Sequence, residues 1–206
     1  MDHMMMQLNY RATVFSELIS NTVCTSASRK VIDLEVGMSE LMERLRQLRV
    51  QKNTLYIIGN GGSATVASHA LVDFINVAKI SARVLHEFSL VTCMANDFGY
   101  EFVYSRVLVQ CLKQNDILIA ISSSGNSPNI CNAVNVAREC RAQIITLTGF
   151  SENNKVRQLG DINFWLDSCD YGYVEVGHQF ILHNLSDRFQ VEDKQQTLSQ
   201  DECSIL

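Results

Sequence analysis

The chain has 206 residues, 47% of them hydrophobic, which suffices for one sizeable core and a single domain with extensions. A formal charge of −5 leaves no basic stripe for nucleic acid. A small anionic ligand therefore needs a local site built of backbone N–H groups and hydroxyls.

The opening MDHMMMQLNY lacks the basic flank, apolar core and cleavage site of a signal peptide, and no apolar run approaches ~18 residues. The expectation is a cytoplasmic protein with no membrane segment. Residues around 8–24 place Val14, Phe15, Leu18 and Ile19 on one helical face. In a second helical segment, around 29–51, Leu34, Met38, Leu41, Leu45 and Leu48 alternate steps of four and three, a short heptad seam flanked by Glu43, Arg44, Arg46 and Arg49. The seam suits either a helix packed on its own domain or a helix–helix subunit interface.

From residue 54 short β runs alternate with helical stretches. Strands are predicted at 55–59, 82–86, 116–121, 142–148 and 162–166, and helices near 63–77, 88–112, 126–139, 153–159 and 174–190. Apolar strands separated by helices indicate a parallel sheet covered on both faces. The predicted fold is thus α/β, a three-layer α/β/α sandwich with a five-stranded parallel sheet. Residues 1–52 form a helical N-terminal extension for packing or oligomerisation, 53–190 the α/β domain, and 191–206 a polar, loose tail.

Two loops carry chemistry. After the first strand, GNGGSA leads from Gly59 into a helix; after the third, SSSGNSPN (Ser122 to Asn129) does the same. Each leaves the end of a buried strand and enters a helix N-terminus, where unpaired N–H groups and the helix dipole favour an anion. Ser127 suits an N-cap, and Pro128, the only proline, suits the first helical position. Gly59-x-Gly61-x-x-Ala64 also fits a loose dinucleotide fingerprint. That scheme wants an acid about 20 residues on, whereas the nearest acid past the next strand, Glu87, lies 28 residues beyond Gly59. Paired loops with four serines in six residues point to a phosphate instead.

His69 and Asp73 stand at i and i+4, on one face of a helix. Glu175, His178, Gln179 and His183 share a polar sector of the last helix, with Val174, Ile181 and Leu185 opposite. Histidines and carboxylates from two such faces form an N/O set suited to zinc or a similar divalent ion. A His–Asp pair at this spacing is also a common surface pair, and His178 reads as structural.

The segments GNGGSA, MANDFGYE, SRVLVQ, DILIAISSSGNSPN, IITLTG and EVGHQFILH occur in the order seen in phosphoheptose isomerases of the SIS (sugar isomerase) family, which the chain resembles over roughly residues 30–188. The resemblance implies a homotetramer with active sites between subunits. It implies that Ser122, Ser123, Ser124 and Ser127, with Asn60, Gly61, Gly62 and Ser63, bind a sugar phosphate, and that Asn96, Asp97 and Glu175 contact the sugar. Asp73 takes the place of the general base and His183 that of its partner. Zinc, where members bind it, maps to His69, Asp73, Glu175 and His183.

The implied reaction converts sedoheptulose 7-phosphate to D-glycero-D-manno-heptose 7-phosphate through an enediol. Two alternatives accompany it: an isomerase for a different phosphosugar, or a non-catalytic SIS module that binds phosphosugar or a protein partner of the replication-initiator type. Four positions depart from the family pattern. Asp73 stands for glutamate, shortening its reach by about 1–1.5 Å; Glu175 stands for glutamine, Val77 for a basic residue and Gly172 for aspartate.

The seven cysteines, scattered and free of any C-x-x-C pair, argue against a disulfide framework and a thiolate zinc site, and most are expected to be buried small hydrophobes. The final CSIL fits a prenylation box, but QQTLSQDE before it is polar and acidic where a polybasic partner would aid anchoring. Asn184-Leu-Ser matches a glycosylation acceptor without a secretory context.

Overall fold

The structure, a computed structural model, describes residues 7–203, with side chains described through residue 195. Helix α1 (Leu8–Ser20) is followed by a hairpin of β1 (Val23–Ser26) and β2 (Val31–Ile32), then α2 (Leu34–Gln51). The remaining elements are β3 (Leu55–Ile58), α3 (Gly62–Asn76), β4 (Ala82–Val84), α4 (Phe88–Phe98), α5 (Ser105–Cys111), β5 (Ile117–Ser122), α6 (Pro128–Glu139), β6 (Gln143–Thr148), β7 (Ile162–Trp165) and α7 (Tyr171–Cys203). Short 3₁₀ turns occupy Tyr100–Phe102 and Arg157–Leu159.

The sheet has seven strands in the order β2-β1-β7-β6-β5-β3-β4. The five expected strands are mutually parallel, while β1 runs antiparallel to both β7 and β2. The hairpin therefore extends the five-stranded sheet at its β7 edge and places part of the N-terminal extension within the main layer. Strands of four and two residues, joined by a turn in which Arg29 takes a left-handed φ of 61°, are too short to show a period of two.

Alternate strand residues face opposite layers. Ile57, Ile119, Ile145 and Phe164 pack with α2, α3 and α7, whereas Tyr56, Ile58, Leu118 and Ile144 pack with α5 and α6. Fully burying a side chain such as Phe74, Phe164 or Phe189 contributes about 1.5–3 kcal/mol. In α2 the seam residues Met38, Leu41, Leu45 and Leu48 are buried against this core, so the heptad pattern records packing on its own domain. Asp33 caps α2 by accepting from the backbone N–H groups of Glu35 and Val36.

Three segments differ from expectation. The helix predicted over 88–112 breaks at Gly99, whose φ of 96° ends α4, and α5 restarts at Ser105. The stretch 153–159 holds only the turn at Arg157–Leu159. The final helix continues through the segment read as a loose tail to Cys203, with Arg46 making paired hydrogen bonds to Glu192 and Arg49 contacting Asp193. The side chains of QQTLSQDE beyond residue 195 and the end of CSIL lie outside the described residues. Of the six described cysteines only Cys24 is buried, and all six are free thiols, so burial is the exception. Cys24 packs against Gly37, where a Cβ would overlap its Sγ, and burial pushes its pKa up to about 12. Among the described residues no helix is long and apolar enough to cross a membrane.

Candidate active site

The strands β3 and β5 are neighbours, paired from Leu55↔Ile117 to Ile58↔Ala120, but their following helices cover opposite faces of the sheet. That divergence opens a crevice beyond the carboxyl ends of the two strands, where open α/β sheets bind ligands. Both glycine-serine loops lie there. They line a cavity of about 260 Å³ together with Ile121, Tyr171 and Glu175.

Every residue predicted for the phosphate end reaches this cavity: Asn60, Gly61, Gly62, Ser63, Ser122, Ser123, Ser124 and Ser127. Ser63, Ser122 and Ser123 are buried. The Ser122 hydroxyl accepts from Gly125 N–H at 3.1 Å and donates to Ser127 Oγ at 3.5 Å. Ser127 holds the N-cap position of α6, and Pro128 follows as its first residue, yet the Ser127 hydroxyl makes no cap bond, leaving it available to the cavity. The Ser123 hydroxyl is buried without a partner, a donor whose cost a bound anion would offset. Gly125 is required by geometry: its φ is 62°, and a Cβ there would overlap the Asn154 side chain.

A second cluster sits farther along the helices. Asp73 Oδ2 lies 2.8 Å from His183 Nδ1 and 3.2 Å from His69 Nε2. The histidine rings stand at 65° with centroids 5.7 Å apart, and one ligand atom from each of the three residues falls within 4.8 Å of the others. The Asp73 side chain is 15% exposed, against 56% and 50% for His69 and His183. The hydrogen bond to Asp73 raises the His183 pKa above its ordinary 6.5, partial burial opposes this, and Asp187, 3.9 Å away, adds to the rise. On the 1.5 Å helical rise, His69 and Asp73 lie about 9 and 15 Å past Ser63 along α3, and His183 about 12 Å past Glu175 along α7. The two clusters thus lie at different heights along the same pair of helices.

The fourth residue of the predicted ligand set stands apart. Glu175 lines the serine cavity, its carboxylate so close to Gly62 that any Cβ there would overlap it, and it is not one of the three clustered residues. The first turn of α7 directs it toward the loop. Asn96 and Asp97 are exposed on α4, bonded to each other at 2.9 Å, and do not line the cavity within one chain. His178 is buried in the core; its Nε2 bonds to the Thr148 carbonyl oxygen at 3.1 Å, and burial pushes its pKa down to about 4, a structural histidine. Asp170, two residues before Gly172, caps α7 through Gly172 N–H and pairs with Arg11, so its carboxylate is already engaged.

Residue-type reasoning missed three participants. Tyr171 lines the cavity, while Asn129 and Tyr100 hydrogen-bond Asn60. Asn129 belongs to the serine loop but carries no hydroxyl, Tyr100 lies within MANDFGYE beside the more conspicuous Asn96 and Asp97, and Tyr171 sits just outside the motifs.

Residues 35–149 match the SIS domain family. The phosphoheptose isomerase of Trichlorobacter lovleyi is 34% identical over 161 residues, covering 75% of this chain and 82% of that protein. That of Helicobacter pylori is 32% identical over 167 residues, covering 75% and 86%. The structure of a phosphoheptose isomerase from Neisseria gonorrhoeae superposes with a TM-score of 0.74 at 26% identity, covering 90% of this chain and all of that one. One from Francisella tularensis, at 20% identity, shares the fold with a TM-score of 0.78 over 92% of this chain and 98% of its own. The chain belongs to the SIS domain family. Within it, the curated relatives it resembles are named phosphoheptose isomerases.

Proposed function

We propose that this protein is an aldose–ketose isomerase acting on a phosphorylated sugar, with sedoheptulose 7-phosphate and D-glycero-D-manno-heptose 7-phosphate as its pair. The observation that carries the reading is an anion cradle of serine hydroxyls at the start of α3 and α6, with a carboxylate–imidazole pair, Asp73 and His183 in contact at 2.8 Å, farther along α3 and α7. The names of the relatives supply the seven-carbon substrate.

The cradle holds the phosphate through neutral donors, which bind a dianion without trapping it as buried cations would. With the phosphate fixed, the carbonyl end extends along α3 and α7 to the second cluster. The Asp73 carboxylate removes the proton from C1 of the ketose and returns it to C2, while His183 delivers a proton to O2 and recovers one from O1, so that the enediol passes to the aldose with no net change in protonation. The hydrogen bond to Asp73 raises the His183 pKa above its ordinary value and so favours the imidazolium, the form that donates to O2.

His69, Asp73 and His183 also form an N/N/O set that fits a divalent ion such as zinc, which supplies carbonyl polarisation when bound. Glu175 stands at the cradle, where it accepts hydrogen bonds from sugar hydroxyls.

The functional unit we propose is a homotetramer with active sites at subunit interfaces. Helix α4 supports this: none of its residues is buried, Phe88 and Phe98 are exposed, and Asn96 and Asp97 lie outside the cavity of their own chain. The free thiols accord with a reducing cytoplasm. The reading is tested by assaying Ser122→Ala and Ser124→Ala with sedoheptulose 7-phosphate. Each raises KM by about tenfold for one charge-assisted hydrogen bond lost, and an unchanged KM for both contradicts the cradle.

A further inference from the structure

Asn60 and Asn129 face each other across the crevice and exchange two hydrogen bonds. Asn60 Nδ2 donates to Asn129 Oδ1 at 2.9 Å, and Asn129 Nδ2 donates to Asn60 Oδ1 at 2.8 Å. The polarity of this pair is set by the backbone. Ile130 N–H donates to Asn129 Oδ1 at 3.0 Å, which fixes that atom as oxygen and so orients both amides. Tyr100 OH donates to Asn60 Oδ1 at 3.2 Å, giving that oxygen two donors.

Asn129 is 1% exposed and does not line the cavity, whereas Asn60 does. The Oδ1 of Asn129 accepts from both Asn60 and Ile130 N–H and its Nδ2 donates to Asn60, and its burial keeps the side chain out of a ligand's reach. Asn60, by contrast, has one Nδ2 hydrogen beyond the one given to Asn129, and its carbonyl oxygen is occupied on the side of the clasp. An amide in this state presents N–H, not C=O, to an anion. A free Asn60 could present either.

We infer that Asn129 is a positioning residue for the phosphate cradle: it acts through Asn60, locking that amide donor-outward and holding the loops after β3 and β5 at one spacing. The inference rests on the phosphosugar reading above. Tyr100 adds a tether from the turn that follows Asn96 and Asp97, linking the α4 segment to the same amide. The loops need such a clasp because they lead into helices on opposite faces of the sheet, and a cradle of hydroxyls loses affinity when its halves drift by about 1 Å.

The test is calorimetric titration of the full chain with inorganic phosphate, alongside thermal unfolding, for Asn60→Ala, Asn129→Ala, the double variant, Asn129→Ser and Tyr100→Phe. The serine in Asn129→Ser can still accept from Ile130 N–H but cannot reach Asn60, which separates the clasp from the local turn. Asn129→Ala and Asn129→Ser each weaken phosphate binding by about tenfold, and the double variant is no more than about twofold weaker than Asn60→Ala, since the two residues act as one unit. Tyr100→Phe weakens binding by about threefold. With substrate, the same variants raise KM more than they lower kcat. Phosphate affinity equal to the wild type in Asn129→Ser, with only the melting temperature reduced, overturns the inference, as do effects of Asn60→Ala and Asn129→Ala that multiply. A wild-type protein that binds no phosphate overturns the phosphosugar reading itself and this inference with it.

Discussion

Asp73 and His183, 110 positions apart in the chain, meet at 2.8 Å because α3 and α7 pack side by side on one face of the sheet. Their contact joins a carboxylate that is mostly buried to an imidazole that is half exposed, with His69 against the same carboxylate oxygen at 3.2 Å. The proposed proton transfers depend on this pair more than on any other contact in the molecule.

Replacing the carboxylate by an isosteric amide separates binding from chemistry. Asp73→Asn lowers kcat by about 10²–10⁴, the span of a positioned acid or base, and leaves the affinity for inorganic phosphate unchanged, because the cradle is built from other residues. A steady-state assay paired with phosphate titration checks both halves.

The two histidines of α7 titrate in opposite directions. In chelator-treated protein, the His183 ring titrates above 6.5, and Asp73→Asn lowers its midpoint, since the hydrogen bond from that carboxylate is the first cause of the rise. Histidine resonances followed by NMR read this directly. A raised folded-state pKa contributes stability that is present below the unfolded value and lost as pH rises through the folded one, so this pair favours the native state toward mildly acidic pH.

His178 has the opposite sign. Its folded pKa is pushed to about 4 from 6.5, so the unfolded chain binds more protons between those values. The stability linked to its neutral form is intact above pH 6.5 and falls as pH drops toward 4. His178→Gln, which retains a donor for Thr148, flattens the pH dependence of the denaturant midpoint in that window, at a cost in stability of about 1–3 kcal/mol for imperfect burial.

Metal binding discriminates among the four residues first grouped as ligands. Zinc stoichiometry measured by elemental analysis on untagged protein falls in His69→Ala and His183→Ala, whereas Glu175→Gln retains the metal, because its carboxylate lies at Gly62 and outside the three-residue cluster. Equal loss in all three variants contradicts that division.

Gly125→Ala tests the serine loop as a backbone device. The left-handed φ costs a residue with a Cβ about 1–2 kcal/mol, and the added carbon meets Asn154, so both melting temperature and phosphate affinity fall.

Much of this was legible before any coordinates. Strands such as Ile117–Ser122, buried on both faces, announce themselves as unbroken apolar runs between helices, and the cradle follows because a loop must leave each strand's carboxyl end. The hairpin at Val23–Ser26 was not legible, since strands this short are specified by pairing with Phe164 and its neighbours rather than by their own pattern. Helix α7 reaches past residue 190 where its polar composition suggested a loose tail, because Glu192 and Asp193 meet arginines of α2 that only the fold brings near. The same limit applies to Glu175: helical spacing placed it on the polar sector of α7 with His183, but two turns of helix separate them, and the packing of α7 on the α3 N-terminus decides that it joins the serines. Asn129 was visible as a residue and invisible as a partner, since its role depends on register between β3 and β5.

The central claim is turnover of a phosphosugar in this crevice. Purified protein is incubated with sedoheptulose 7-phosphate, with and without added zinc, and the products are resolved by NMR. The account predicts formation of D-glycero-D-manno-heptose 7-phosphate, exchange of a C1 proton with solvent, and loss of both in Asp73→Asn. No conversion of this or any other five- to seven-carbon ketose phosphate, by protein that still binds inorganic phosphate, contradicts it.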